Sequence, residues 1–245
     1  MHSERTPGEI AHSQNVREMF GGIAGRYDLL NHILSLNIDK RWRRLVADEL
    51  REILNDANAT VLDVACGTGD LSLELNRNAK AQIVGTDFCR PMLSVAKEKT
   101  VATNARIPYL EADAMTLPFA DEAFDAVTIA FGLRNLPNYE NGLRELNRVL
   151  KPSGTLAVLE CSHPPLPVFR QIYGFYFNKV LPRIGGLVSG SGAAYRYLPN
   201  SVSTFPEQQA LVALMEQTGF TSVKYQNLTG GIAAIHIGIR AETRV

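Results

Sequence analysis

An apolar run gives way to Gly67, Thr68 and Gly69 in "VLDVACGTGDLSLEL" (61–75), with Asp63 before the turn and Asp70 after it. A Gly-x-Gly turn between a strand and a helix lets the backbone approach a ligand closely, and the helix start offers unpaired N–H groups. A dinucleotide fingerprint would need G-x-G-x-x-G, but Leu71 and Ser72 stand after Asp70, and an acid at Asp70 sits badly beside a pyrophosphate. No GK[ST] occurs anywhere, which removes the P-loop reading. The ligand reads as a nucleoside without a phosphate bridge. Asp87 ends the next apolar run, 24 residues after Asp63, where an acid accepts hydrogen bonds from both ribose hydroxyls. Asp113, with Ala114 beside it, ends the third run and suits an adenine edge; Phe88 and Ala130 border the same strand ends. Three acids at three consecutive strand ends suit a cationic, phosphate-free cofactor, S-adenosylmethionine. The plainer alternative is that Asp70 and Asp113 only cap helices.

A second constellation lies in "DAVTIAFGLRNLPNYE" (125–140), where a buried run ends in Gly132 and then Arg134 and Asn135. In open parallel sheets ligands bind outside the carboxyl ends of the strands, so a cation and an amide there are candidates for chemistry. The alternative is an arginine that pairs with Asp113 or Glu160 and only holds the loop.

Elements must place these groups. Residues 1–14 are polar and read as frayed, whereas 15–56 look helical, with Trp42, Leu45, Val46, Leu50 and Ile53 on one stripe. Strands are expected at 60–66, 82–88, 107–113, 124–131 and 155–161, the last entered through the turn "KPSG" (151–154). Helices are expected at 69–78, from Arg90 with Pro91 in the first turn, at 139–150 and at 206–218. Strand-like runs at 222–228 and 232–240 joined through Thr229-Gly230-Gly231 indicate a hairpin, so the last strand runs antiparallel. The expected fold is α/β: a seven-stranded, mostly parallel, doubly wound sheet with one reversed strand. Residues 1–56 form an N-terminal helical cap of the same domain, 57–245 the sheet domain, and 162–205 an insertion after strand five.

Composition narrows the classes. The 245 residues are 45% hydrophobic and 20% charged, a globular balance. Twenty-five basic residues offset 25 acidic ones, which gives no electrostatic argument for nucleic acid. Cys66, Cys89 and Cys161 are scattered, without CxxC or zinc spacing, and read as reduced thiols of a cytoplasmic protein with no metal. No signal-peptide core or bilayer-spanning run is present, so the chain reads as soluble or at most peripheral at the inner face of a membrane.

The chain resembles the class I S-adenosylmethionine-dependent methyltransferases, and within them the ubiquinone/menaquinone biosynthesis C-methyltransferases. The carriers are "FGGIAGRYDLLNHILSLNIDKRWR" (20–43), "LDVACGTGDL" (62–71), "GTDFCRPML" (85–93), "FGLRNL" (131–136), "RVLKPSGTLAVLE" (148–160) and "YRYLPNSVSTFP" (195–206). The resemblance implies that Thr68, Asp87 and the Asp113-Ala114 pair hold the cofactor, released as S-adenosylhomocysteine. It implies methylation of a ring carbon on a prenylated quinol. "SLNIDKRWRR" and "GGIAAIHIG" look closer to members acting on demethylmenaquinol than to those that also serve the ubiquinone precursor, 2-polyprenyl-6-methoxy-1,4-benzoquinol.

Methyl transfer to carbon needs donor and acceptor held in line and a quinol oxygen that shares or loses its proton. Arg134 is expected to stabilise the phenolate or orient a water, since guanidinium stays protonated. Asn135 stands beside it, and Tyr27 and Asp28 are expected as a lid. His163, Tyr195 and Tyr197 are candidates for the acceptor pocket, with incidental packing as the alternative for each. The stretch 168–188 mixes aromatics with Arg170, Lys179 and Arg183, which suits entry of an isoprenoid tail at a membrane, a buried helix pair or a contact between copies in a homo-oligomer. A methyltransferase for another small acceptor, and a protein that only binds the cofactor, are the competing classes.

Overall fold

The computed structural model describes residues 5–35, 37–167, 170–171, 174 and 192–242. Among the described residues four α-helices precede the first strand, α1 (Pro7–Ile23), α2 (Tyr27–Ser35), α3 (Ile38–Glu49) and α4 (Arg51–Leu54), with a 3-10 turn at Ala24–Arg26 between the first two. α1 starts well inside the stretch expected to fray. Its cause is local: the Glu9 amide donates to Thr6 Oγ1 at 3.2 Å while the Thr6 amide donates to the Glu9 carboxylate at 2.8 Å. This capping box, with Pro7 in the first turn, satisfies donors that a helix start leaves open. The expected stripe along α3 and α4 packs inward, with Trp42, Val46 and the intervening Leu50 buried and Leu45 and Ile53 partly so; Leu54 is buried with them.

The strands are β1 (Thr60–Val64), β2 (Gln82–Asp87), β3 (Tyr109–Glu111), β4 (Phe124–Ala130), β5 (Leu150–Cys161), β6 (Phe220–Leu228) and β7 (Ala233–Arg240). They pair in the order β3-β2-β1-β4-β5-β7-β6. The β1, β2, β3, β4 and β5 pairings are parallel, and β7 runs antiparallel to both β5 and β6. The expected sheet and its reversed strand are present. Helices α5 (Asp70–Asn76), α6 (Arg90–Ala102), α7 (Tyr139–Val149), α8 (Gly192–Thr204) and α9 (Gln208–Gln217) accompany it. The side-chain period of two sorts the strands between two cores. Val61, Ile83, Ala126 and Leu159 pack with the α3–α5 side, whereas Leu62, Val127, Ile129 and Val158 pack with α7 and α9.

Two boundaries within the sheet also differ from expectation. β3 is short, and Asp113 lies past it in an isolated bridge to Thr116. The expected "KPSG" turn lies within β5: Phe124 pairs with Leu150 but Ala126 with Thr155, so the turn residues are accommodated as a bulge, with Ser153 at φ 61. Strand order reverses between β1 and β4, which fixes the switch point where an open parallel sheet binds its ligand. The stretch 168–188 lies almost wholly outside the described residues. Among the described residues no helix is long and apolar enough to cross a membrane.

Candidate active site

A cavity opens at the switch point. Ala65 just past β1 has φ 51 and Phe131 just past β4 has φ 56, and both residues line the cavity. A positive φ is costly for a side-chain-bearing residue, so strain is held at both lips of the crevice. Between them the glycine turn crosses with Gly67 at φ 56 and Gly69 at φ 81. Their tasks differ. Gly67 faces the cavity, whereas a Cβ on Gly69 would stand 2.7 Å from the Tyr109 hydroxyl and 3.1 Å from Ala96, so Gly69 permits packing and does not line the wall.

The acids take up distinct positions. Asp87 is buried and receives the Gly67 amide on Oδ2 and the Cys89 amide on Oδ1, both at 2.8 Å. Burial pushes its carboxyl up to about 6, against the pull of those two amides and of the Arg17 charge. Asp63 is fully buried, accepting Ser72 Oγ at 2.5 Å and Thr128 Oγ1 at 2.8 Å, and burial lifts it to about 6 as well. It touches the cavity but also ties β1 to α5 and β4. Asp113 accepts the Met115 amide at 2.9 Å and pairs with Arg5 Nη1 at 2.7 Å, so the N-terminal segment reaches its carboxylate. Burial holds the Cys66 thiol well above its usual range, which leaves it protonated and no nucleophile.

Thr68 is buried, and its hydroxyl donates to Asp28 Oδ1 at 2.5 Å. Lys99 from α6 sits 2.8 Å from Asp28 Oδ2 and also pairs with Asp70. Asp70 lies 3.4 Å from Arg43 Nη2, whose other terminal nitrogen pairs with Asp39. Four elements of the chain thus meet in one alternating charge chain at the glycine turn. Sequence reading named Thr68 and Asp28 but missed Arg43 and Lys99, which come to the turn only through helix packing over long sequence separations.

The second constellation rearranges on inspection. Arg134 does not reach the cavity wall. Its Nη1 donates to Glu160 Oε1 and to the Phe131 carbonyl, both at 2.6 Å, and its amide donates to Glu160 Oε2 at 3.2 Å. Both charges are buried. Burial opposes the arginine's charge, but Glu160 beside it keeps the guanidinium protonated. Arg134 has the geometry of the loop brace weighed as the alternative, its guanidinium on Glu160 and the Phe131 carbonyl. Asn135 does line the cavity; its Nδ2 donates to the Phe131 carbonyl at 3.1 Å, and Tyr197 donates to its Oδ1 at 3.1 Å. Because that carbonyl only accepts, the orientation of the amide is fixed.

Tyr27 lines the cavity, its ring edge against Phe20 at 5.7 Å, and burial raises its phenol against the pull of Arg134. Phe88, Ala114 and Ala130 lie on the wall, whereas Asp28 and Tyr197 stand one layer behind it. His163 does not join them: its Nε2 faces the Phe205 carbonyl at 3.2 Å, away from the wall. Tyr195 lies in α8, with its side chain outside the described residues. α1, whose residues up to 14 were expected to fray, adds Ser13 and Phe20 to the wall and bonds His12 Nε2 to the Asn135 carbonyl at 3.1 Å. The wall therefore carries Asp63, Asp70, Asp87 and Asp113 against one described base, Arg43, with an apolar patch of Phe20, Phe88 and Met92. Such a wall favours a cationic ligand and is hostile to a phosphate.

The family model described as the ubiE/COQ5 methyltransferase family matches residues 9–240. A Thermus thermophilus protein named demethylmenaquinone methyltransferase is 53% identical, over 91% of this chain and 100% of that one. A Deinococcus radiodurans protein of the same name is 49% identical over 92% of each chain. A Geotalea uraniireducens protein named ubiquinone/menaquinone biosynthesis C-methyltransferase UbiE is 45% identical, over 92% of this chain and 96% of its own. Among solved structures, a SAM-dependent methyltransferase from Thermotoga maritima superposes with a TM-score of 0.65 at 17% identity, over 91% of this chain and 98% of that one. One from Aquifex aeolicus gives 0.57 at 20% identity, over 78% and 87% of the two chains. These two speak for the fold alone.

Proposed function

The chain belongs to the ubiE/COQ5 methyltransferase family, and from that premise we propose that it transfers the methyl group of S-adenosylmethionine to a ring carbon of demethylmenaquinol, giving menaquinol. The observation that carries the reading is the cavity at the β1/β4 switch point, whose wall sets four carboxylates against one arginine beside an apolar patch. The residues fit the cofactor. Asp87, anchored by two amides, keeps lone pairs for the ribose hydroxyls. Gly67, with no Cβ, lets the chain pass close beneath it, and Thr68, Asp113 and Ala114 complete the cradle. When bound, S-adenosylmethionine supplies a methyl group already activated on a sulfonium.

The chain's own part is positioning and the management of one proton. Asn135, locked by Phe131 and Tyr197, presents an oriented amide to the quinol oxygen, which favours the electron-rich ring needed for attack. Tyr27 stands across the cavity as a second polar contact. The ring hydrogen leaves as a proton after the carbon–carbon bond forms. The helices before β1 act as a cap, with α1 excluding water from above. A polyprenyl tail holds such a quinol in lipid, so the encounter takes place at a bilayer surface.

The name of the Geotalea relative includes ubiquinone biosynthesis, which keeps a second acceptor in play, the ubiquinone precursor 2-polyprenyl-6-methoxy-1,4-benzoquinol. Purified protein given methyl-labelled S-adenosylmethionine and either quinol, with simple phenols as controls, separates the cases. Label is expected in the ring of demethylmenaquinol. Label only in the benzoquinol would reassign the acceptor, and cofactor binding without transfer to any acceptor would sink the catalytic reading.

A further inference from the structure

We propose that Arg43 is the receptor for the carboxylate at the amino-acid end of the cofactor. The inference rests on the cofactor reading above. The sheet itself supplies a ruler. Asp113 follows β3, Asp87 ends β2 and the glycine turn follows β1, and these three strands are neighbours in that order. Adjacent strands lie about 4.8 Å apart, so the span from β3 to β1 is about 10 Å, the length of a nucleoside. With adenine toward Asp113 and ribose on Asp87, the amino-acid end falls at the glycine turn.

That end carries an ammonium and a carboxylate. The ammonium finds Asp63 and Asp70 on the wall. The carboxylate needs a cation, and Arg43 is the one described base that lines the cavity. Lys99, the other cation near the turn, is held between Asp28 and Asp70 and stays off the wall. Arg43 is 6% exposed and is held on α3 by Asp39, which accepts Ser35 Oγ at 2.5 Å. A guanidinium offers several donors in a planar fork matched to a carboxylate, so pairing with Asp39 and the approach to Asp70 at 3.4 Å leave it capacity for a ligand. A buried, preorganised cation facing four acids gives selectivity for a zwitterion over a plain cation, because an unanswered carboxylate would meet repulsion on that wall.

The test compares S-adenosylhomocysteine with 5′-methylthioadenosine, which lacks the amino-acid end, and S-adenosylmethionine with its decarboxylated form. Calorimetry on the wild type and on Arg43→Gln reads the affinities. We expect Arg43→Gln to weaken both carboxylate-bearing ligands by about tenfold or more, and to change methylthioadenosine and the decarboxylated cofactor by no more than roughly twofold. Equal losses for all four ligands, or no loss for any, overturn the assignment. Because Arg43→Gln leaves Asp39 buried without its partner, the double variant Arg43→Gln/Asp39→Asn is measured in parallel and must show the same selectivity. If neither variant folds, the wild type still decides: equal affinity for S-adenosylmethionine and its decarboxylated form overturns the proposal. A wild type that binds none of these ligands would instead refute the cofactor reading itself.

Discussion

At the scale of single residues, Arg134 shows how much a side chain's surroundings change its meaning. A cation just past a buried strand suggests an acceptor contact, yet its guanidinium closes onto Glu160 and the Phe131 carbonyl behind the cavity. Glu160 also receives the Arg134 and Cys161 amides at 3.2 and 2.8 Å, so one buried carboxylate holds the whole loop that presents Asn135. Removing one partner strands the other charge in a low-dielectric interior, which typically costs about 3–5 kcal/mol. Arg134→Ala is therefore expected to lower stability by that order, seen as a fall in the denaturation midpoint, and to lose turnover through a displaced Asn135. A variant with the wild-type midpoint would show that the brace carries no weight. Both Arg134 readings are open to the residue types, and the contact with Glu160, 26 residues on, is what favours the brace.

At the scale of elements, the strands were legible because buried parallel strands are continuous apolar runs bounded by turn residues. Runs at β1, β2, β4 and β7 leave little choice of assignment. The start of α1 was less visible: its residues are polar on most faces, and the capping box of Thr6 and Glu9 is its local signal. The charge chain through Arg43, Asp70, Lys99 and Asp28 had no local signal at all, since it exists only once α2, α3, α5 and α6 pack together. α1 matters to the site because Arg5, His12 and Arg17 bond it to Asp113, the Asn135 carbonyl and Glu111. Thr6→Ala removes a cap worth about 1 kcal/mol. Hydrogen exchange at the first amides of α1 is expected to quicken while the sheet amides keep their protection. Unchanged exchange across residues 7–10 would mean that the tethers, and not the cap, hold the helix start.

At the scale of the whole molecule, the cavity couples ligand binding to protons. Asp63 and Asp87 carry carboxyls raised from 3.8 to about 6 by burial. Between those values the folded chain holds protons that the unfolded chain has lost, so their ionisation takes away stability as pH rises through about 6. Each group's shift corresponds to roughly 3 kcal/mol by linkage, so the free protein pays for a cation-ready wall at neutral pH and recovers that cost on acidification to about pH 4. A bound cofactor reverses the balance: its ammonium favours ionised Asp63, and ribose hydroxyls donating to Asp87 favour the ionised form of that carboxyl. Binding of S-adenosylmethionine should then expel protons near pH 6, and affinity should fall as pH drops below it. Calorimetry in two buffers of different ionisation heat measures the protons released. We expect net release near pH 6 that shrinks toward pH 7 as both acids become ionised in the free protein, below the range near pH 8 where the ligand's own amino group titrates. Tight binding near pH 6 with no proton release would mean that neither the ribose hydroxyls nor the ammonium meets these two carboxylates, and would move the nucleoside off Asp87 and the amino-acid end off the glycine turn.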